Sequence, residues 1–225
     1  MKTIINHIPF ILACFLVSCF GSFNFVSGQE QHSTLIKPTE AKRLLAEGNA
    51  RFVSGKTLHP RQNEVRRKEL ANSQHPFAII LGCSDSRTSP ELLFDQGLGD
   101  LFVAREAGNI IDDHTTGSIE YAAEHLHVSL IVVLGHQRCG AIAAARDTSA
   151  VEGHIRSIVA SLQPAVKATI GQDAEATCIA NVWNEVVALQ TSEPVMKRLI
   201  QSGEVVVVGA YYNLDTGIVT FLDKK

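Results

Sequence analysis

Three side chains in this sequence are of the kind that hold a transition metal, and each stands at the end of an apolar run. Cys83 lies in Gly82-Cys83-Ser84-Asp85-Ser86-Arg87, while His136 and Cys139 lie in Gly135-His136-Gln137-Arg138-Cys139-Gly140. Thiolate, imidazole and thiolate make a Cys2His set, the ligand type of an open catalytic zinc site whose fourth position is left for water. Glycines beside the ligands give the backbone room to turn sharply. Taken singly, Cys-x-Asp or His-x-x-Cys says little, because a buried cysteine is more often a small core residue than a ligand. Together, each at a strand end of one sheet, the two motifs carry far more. A closed structural site would need a fourth protein ligand, and Asp85 is the one at hand. No Cys-x-x-Cys pair is present, which counts against thioredoxin-like redox chemistry.

Bringing such side chains together is the task of the surrounding elements. Four apolar runs, Phe77–Leu81, Leu101–Ala104, Leu130–Leu134 and Val205–Val208, are continuous rather than alternating and rich in Val and Ile. That pattern fits strands buried on both faces of a parallel sheet. Helical stretches separate them over Asp113–His127, His154–Thr169, Glu175–Gln190 and Ser192–Ser202. Upstream, Pro38–Ser54 carries one apolar stripe, and Arg61–Ser73 reads as a charged helix over a thin apolar seam. Asn213–Gly217 has turn chemistry, so Ile218–Leu222 folds back antiparallel on the sheet edge. The expected fold is α/β: a mostly parallel central sheet of four parallel strands plus an antiparallel edge strand, flanked by helices. In such sheets ligands bind beyond the carboxyl ends of strands where the strand order reverses. Neighbouring strands at that point would unite Cys83, His136 and Cys139.

The 225 residues suit one such domain, and a formal net charge of −3 without basic runs argues against nucleic acid as the main partner. The first 28 residues differ from the rest, with Lys2 as the single charged side chain and five of the ten phenylalanines. The apolar stretch Ile8–Phe20 is too short for a comfortable membrane span and reads as a secretory signal. Two cleavage readings compete. Leu16-Val17-Ser18-Cys19 resembles a bacterial lipobox, with Cys19 as the lipidated residue, whereas Val26-Ser27-Gly28 suits ordinary signal peptidase. An uncleaved anchor is the third reading. The expected organisation is a signal over 1–28, a polar tether over 29–37 and one domain over 38–225, exported to the periplasm and touching membrane only through signal or lipid. Cys83, Cys139 and Cys178 are too far apart in sequence to suggest a disulfide framework.

The two motifs resemble those of the β-class carbonic anhydrases. The similarity extends over Pro90–Phe102, Ala107-Gly108-Asn109, Gly117–Ala122, Gly153-His154-Ile155 and the closing hairpin, from about residue 40 to residue 222. It implies reversible hydration of carbon dioxide to bicarbonate and a proton, by hydroxide on one Zn2+ per subunit held by Cys83, His136 and Cys139. It implies that Asp85, paired with Arg87, accepts a hydrogen bond from that hydroxide, or closes the site if it swings onto the metal. Gln96 matches a glutamine that contacts substrate across a dimer interface, and Gly108 matches a glycine beside the pocket. The pH-switched branch of the family has Trp-x-Gly-Cys where this chain reads Ile80-Leu81-Gly82-Cys83, which argues for the open arrangement. Glu106 departs from the family pattern and reads as a local charge partner. His154 is a candidate to assist proton transfer; His59, His75, His114, His125 and His127 read as surface residues. Cys178 lies on an apolar helical stripe as a buried thiol, and Trp183 as a packing residue. The family assembles as homodimers or tetramers. A zinc module silenced by Asp85, and hydrolysis of carbon disulfide or carbonyl sulfide, are the alternatives.

Overall fold

The computed structural model describes residues 36–147, 149 and 151–223. The expected signal segment, Cys19 and the expected tether up to residue 35 lie outside them. Among the described residues no helix is long and apolar enough to cross a membrane.

The apolar runs become strands where expected. β1 (Ala78–Gly82) and β3 (Leu130–His136) are buried along their whole length. With β2 (Leu101–Arg105), β4 (Val206–Tyr212) and β5 (Val219–Leu222) they form a sheet of order β2-β1-β3-β4-β5. The first four strands are parallel and β5 is antiparallel to β4. Both faces are covered, which is why the sequence shows no alternation. Ile79, Leu81, Ile131 and Val133 pack toward α4 (Asp113–Glu124), α7 (Ala174–Thr191) and α8 (Val195–Gln201). Ile80, Leu130, Val132 and Leu134 pack toward α1 (Pro38–Val53) and α3 (Pro90–Leu93).

After β1 the chain moves out to β2, then returns past β1 to build β3. The strand order therefore reverses between β1 and β3, whose carboxyl ends lie side by side with Gly82 opposite Leu134. A third apolar cluster closes over this point. Ile142 of α5 (Gly140–Arg146) and Leu162 of α6 (Ile155–Ala168) meet Cys83, Cys139, Cys178 and Tyr211 there.

Two glycines set how closely α7 approaches the sheet. A Cβ on Gly135 would stand 2.6 Å from Val182 Cγ2 and 2.9 Å from Cys178 Sγ, and one on Gly209 would stand 2.8 Å from Val182 Cγ1. No methyl group fits at those distances. The helix rests almost on the backbone of β3 and β4.

Several boundaries differ from the sequence expectation. The charged segment is helical only over α2 (Glu64–Glu69), which buries none of its residues, so it has no apolar seam. Arg61 lies outside it at φ 52, and the Asn63 side chain starts the helix by accepting from the Arg66 N–H. β4 continues through Gly209 to Tyr212. α3 and α5, four and seven residues long, are too short to show a helical period and were not anticipated.

Candidate metal centre

Cys83 follows β1 directly, His136 is the last residue of β3, and Cys139 immediately precedes α5. All three are buried, and their ligand atoms lie within 4.8 Å of one another. The two Sγ atoms are 4.0 Å apart. Tetrahedral zinc with bonds of about 2.3 Å to sulfur puts its two sulfurs about 3.8 Å apart, close to this separation. The imidazole is oriented to match. Its Nδ1 lies 2.9 Å from the Gln137 carbonyl, which can only accept, so Nδ1 carries the proton. Nε2 is left as the lone-pair nitrogen, buried and without a hydrogen-bond partner. A neutral imidazole nitrogen and two sulfurs converging in this way fit a zinc ion.

The thiols are unequal. Cys83 ionises first, lowered to about 4 chiefly by the hydrogen bond from Cys139, with support from the backbone N–H groups of Gly108 at 3.2 Å and Asp85 at 3.4 Å. That same bond, together with burial, pushes Cys139 far up. The pair titrates as a unit, and a second thiolate in this space needs a cation to offset the first. Cys178, by contrast, donates to the His136 carbonyl at 3.4 Å, and burial pushes its thiol up to about 12. It supports the metal strand as an inert thiol, as the apolar stripe suggested.

Asp85 is not one of the three residues whose ligand atoms converge, and it is held by Arg87. Oδ1 accepts from the Arg87 N–H and Nε at 2.9 Å each, and Oδ2 accepts from Nη2 at 2.7 Å. The Arg87 guanidinium keeps this carboxyl far below the usual carboxylate range. Gly108 is buried at φ 78, in a 3-10 turn over Ala107–Asn109, and its N–H is the one that reaches Cys83. Gln96 is buried too, but Nε2 donates to the Phe94 carbonyl and Oε1 accepts from Arg61. Within the described chain its hydrogen bonds do not reach the metal set. His154 is exposed at the start of α6, and the other five histidines singled out in the sequence are exposed as well.

Glu106 is exposed and makes no ion pair among the described residues, so the charge-partner reading is corrected. The neighbouring Arg105 points inward instead. Its Nε donates to the Cys83 carbonyl at 2.8 Å and its Nη2 to the Asp85 carbonyl at 2.7 Å, clamping the loop that carries both residues. Asn181 on α7 donates to the Gly108 carbonyl at 2.8 Å, fixing the peptide that serves Cys83. Neither residue was singled out from sequence. An arginine at a strand end beside the metal motif was a usable signal; Asn181, on a helix that also carries Asn184 and Glu185, was a weaker one.

Comparison with known proteins agrees with this geometry. A family model described as carbonic anhydrase matches residues 78–219. The chain is similar to a carbonic anhydrase of Mycolicibacterium smegmatis, 44% identical over 189 residues covering 80% of this chain and 91% of the relative. It is also similar to carbonic anhydrase 2 of Mycobacterium tuberculosis, 41% identical over 189 residues covering 80% and 90%. Among solved structures it resembles the β-carbonic anhydrase CcaA at 28% identity and a TM-score of 0.66, over 81% of this chain and 94% of that one. A tetrameric β-carbonic anhydrase of Sordaria macrospora aligns at 27% identity and a TM-score of 0.67, over 81% and 96%.

Proposed function

The chain belongs to the carbonic anhydrase family, in its β class, and from that premise we propose that it binds one zinc ion through Cys83, His136 and Cys139 and interconverts carbon dioxide and bicarbonate. The observation that carries this reading is the convergence of two sulfurs and the unpartnered Nε2 of His136 on one point. Zinc held there supplies a Lewis acid that makes water a nucleophile at neutral pH.

The protein's own groups do the rest. Asp85 stays ionised at any physiological pH because Arg87 holds it, so it acts only as a hydrogen-bond acceptor. Oδ2 takes a single bond from Arg87 and keeps a lone pair with which to orient the attacking oxygen. The fork also engages both carboxylate oxygens of Asp85, which supports the open arrangement with a fourth position for water. The thiolate of Cys83 is stabilised by two backbone N–H donors, which moderates the charge it places on the metal. The apolar cluster of Ile110, Ile142 and Leu162 limits water around the site.

Stopped-flow carbon dioxide hydration on the purified zinc protein tests the reading. Cys83→Ala and chelation of the metal should each abolish the activity. Activity unchanged by either sinks it. We also propose assembly with further copies of the chain, supported by the tetrameric neighbour and checked by light scattering. Export is a reading of the first 28 residues, and mass spectrometry of the mature N-terminus distinguishes lipidated Cys19 from free Gln29.

A further inference from the structure

The turn that closes the sheet grips the metal loop from outside. Asp215, between β4 and β5, accepts from Arg138 Nη1 at 3.0 Å and Nη2 at 2.6 Å, and from Gln137 Nε2 at 3.0 Å. Gln137 Oε1 in turn accepts from the Leu214 N–H at 3.0 Å, and the Gln137 N–H donates to the Tyr212 carbonyl at 2.9 Å. Both residues between the ligands His136 and Cys139 are thus tied to a single turn.

Each of the two then acts inward through its carbonyl. That of Gln137 accepts from the Nδ1–H of His136 at 2.9 Å, and that of Arg138 accepts from Arg87 Nη2 at 3.3 Å. Arg138 has φ 51, the left-handed region that residues with a side chain avoid, so this peptide needs holding in place. We propose that Asp215 is a positioning residue: by fixing Gln137 and Arg138 it sets the His136 ring on the metal and the Arg87 fork on Asp85. The proposal rests on the zinc hydratase reading of the site. Both side chains of the Arg138–Asp215 pair are more than half exposed, and such a pair contributes little to overall stability. Its effect belongs in the geometry of the site.

The test uses the zinc-loaded full chain with D215A, D215N and R138G. Glycine adopts φ 51 freely and keeps the carbonyl that serves Arg87, so R138G removes the guanidinium without straining the backbone. D215A is expected to lower kcat about tenfold, the scale of a small misplacement of catalytic groups, with KM within about twofold. Zinc per chain and the thermal midpoint should hold, while zinc loss to a chelator accelerates several-fold. D215N, which keeps an acceptor oxygen but no charge, should fall between, and D215A should cost less in the R138G background. Wild-type kcat and wild-type zinc loss in D215A overturn the proposal, as does a kcat loss matched by a fall in thermal midpoint. A wild-type protein without hydratase activity would instead sink the functional reading, and the zinc-loss rates would still decide the role of Asp215.

Discussion

Glu185→Gln should make this protein more stable at alkaline pH. Glu185 lies on α7 and is only 7% exposed, and its Oε2 accepts from the Ile111 N–H at 3.3 Å. Burial pushes its carboxyl up from 4.5 to about 7. The folded state therefore holds a proton that the unfolded chain has already released. Stability from this group is complete below the unfolded value and is lost as pH rises toward 7. The rise from 4.5 to about 7 corresponds to about 3 kcal/mol lost once both states are ionised. Glutamine keeps the shape and the acceptor oxygen and never ionises. Urea unfolding of both zinc-loaded proteins, at one protein concentration and at pH 5 and pH 8, measures the difference. The advantage of the variant at pH 8 should exceed that at pH 5 by about 2 kcal/mol. An equal advantage at the two pH values, or a less stable variant at pH 8, would refute the reasoning.

Three further outcomes follow from the site. Arg87→Lys replaces a two-pronged grip on Asp85 with a point charge, so hydration kcat should drop by about a hundredfold with zinc retained, read by stopped flow and metal analysis. Gly108→Ala must hold a Cβ at φ 78, 3.2 Å from both Ala141 Cβ and Leu162 Cδ1. It should destabilise by about 2 kcal/mol in urea unfolding and speed zinc loss by displacing the N–H that serves Cys83. Iodoacetamide at pH 8 should leave Cys178 unlabelled in the folded zinc protein, since its thiol is buried and raised to about 12; mass spectrometry of the peptides reads the result.

The cluster of Cys83, His136 and Cys139 was legible because both motifs abut strands whose two-sided burial shows as unbroken Val, Ile and Leu. The same runs placed four parallel strands and the returning edge strand. Contacts between distant elements left no such trace. Arg105 reaches the Cys83 carbonyl from a neighbouring strand, and Asp215 meets Gln137 from 78 positions away. Neither link has a sequence period, because it depends on which strands pair. Short helices such as α3 were missed for a related reason: they are fixed by what they pack against, not by their own pattern. Glu106 misled because its neighbour Arg105 satisfies backbone carbonyls instead of pairing with a carboxylate.

The contact of Val182 with Gly135 on β3 and Gly209 on β4 makes the height of α7 a quantity shared by several residues. Cys178 under the His136 carbonyl and Asn181 on the Gly108 carbonyl both hang from that helix. A methyl group at either glycine would lift the helix and disturb both supports at once. Once it is lifted, a methyl group at the second glycine meets space already opened. Alanine at both positions should therefore cost less than the sum of the single substitutions. Variation at these two glycines would be epistatic: each is intolerant while the other remains glycine, and permissive once the other has changed.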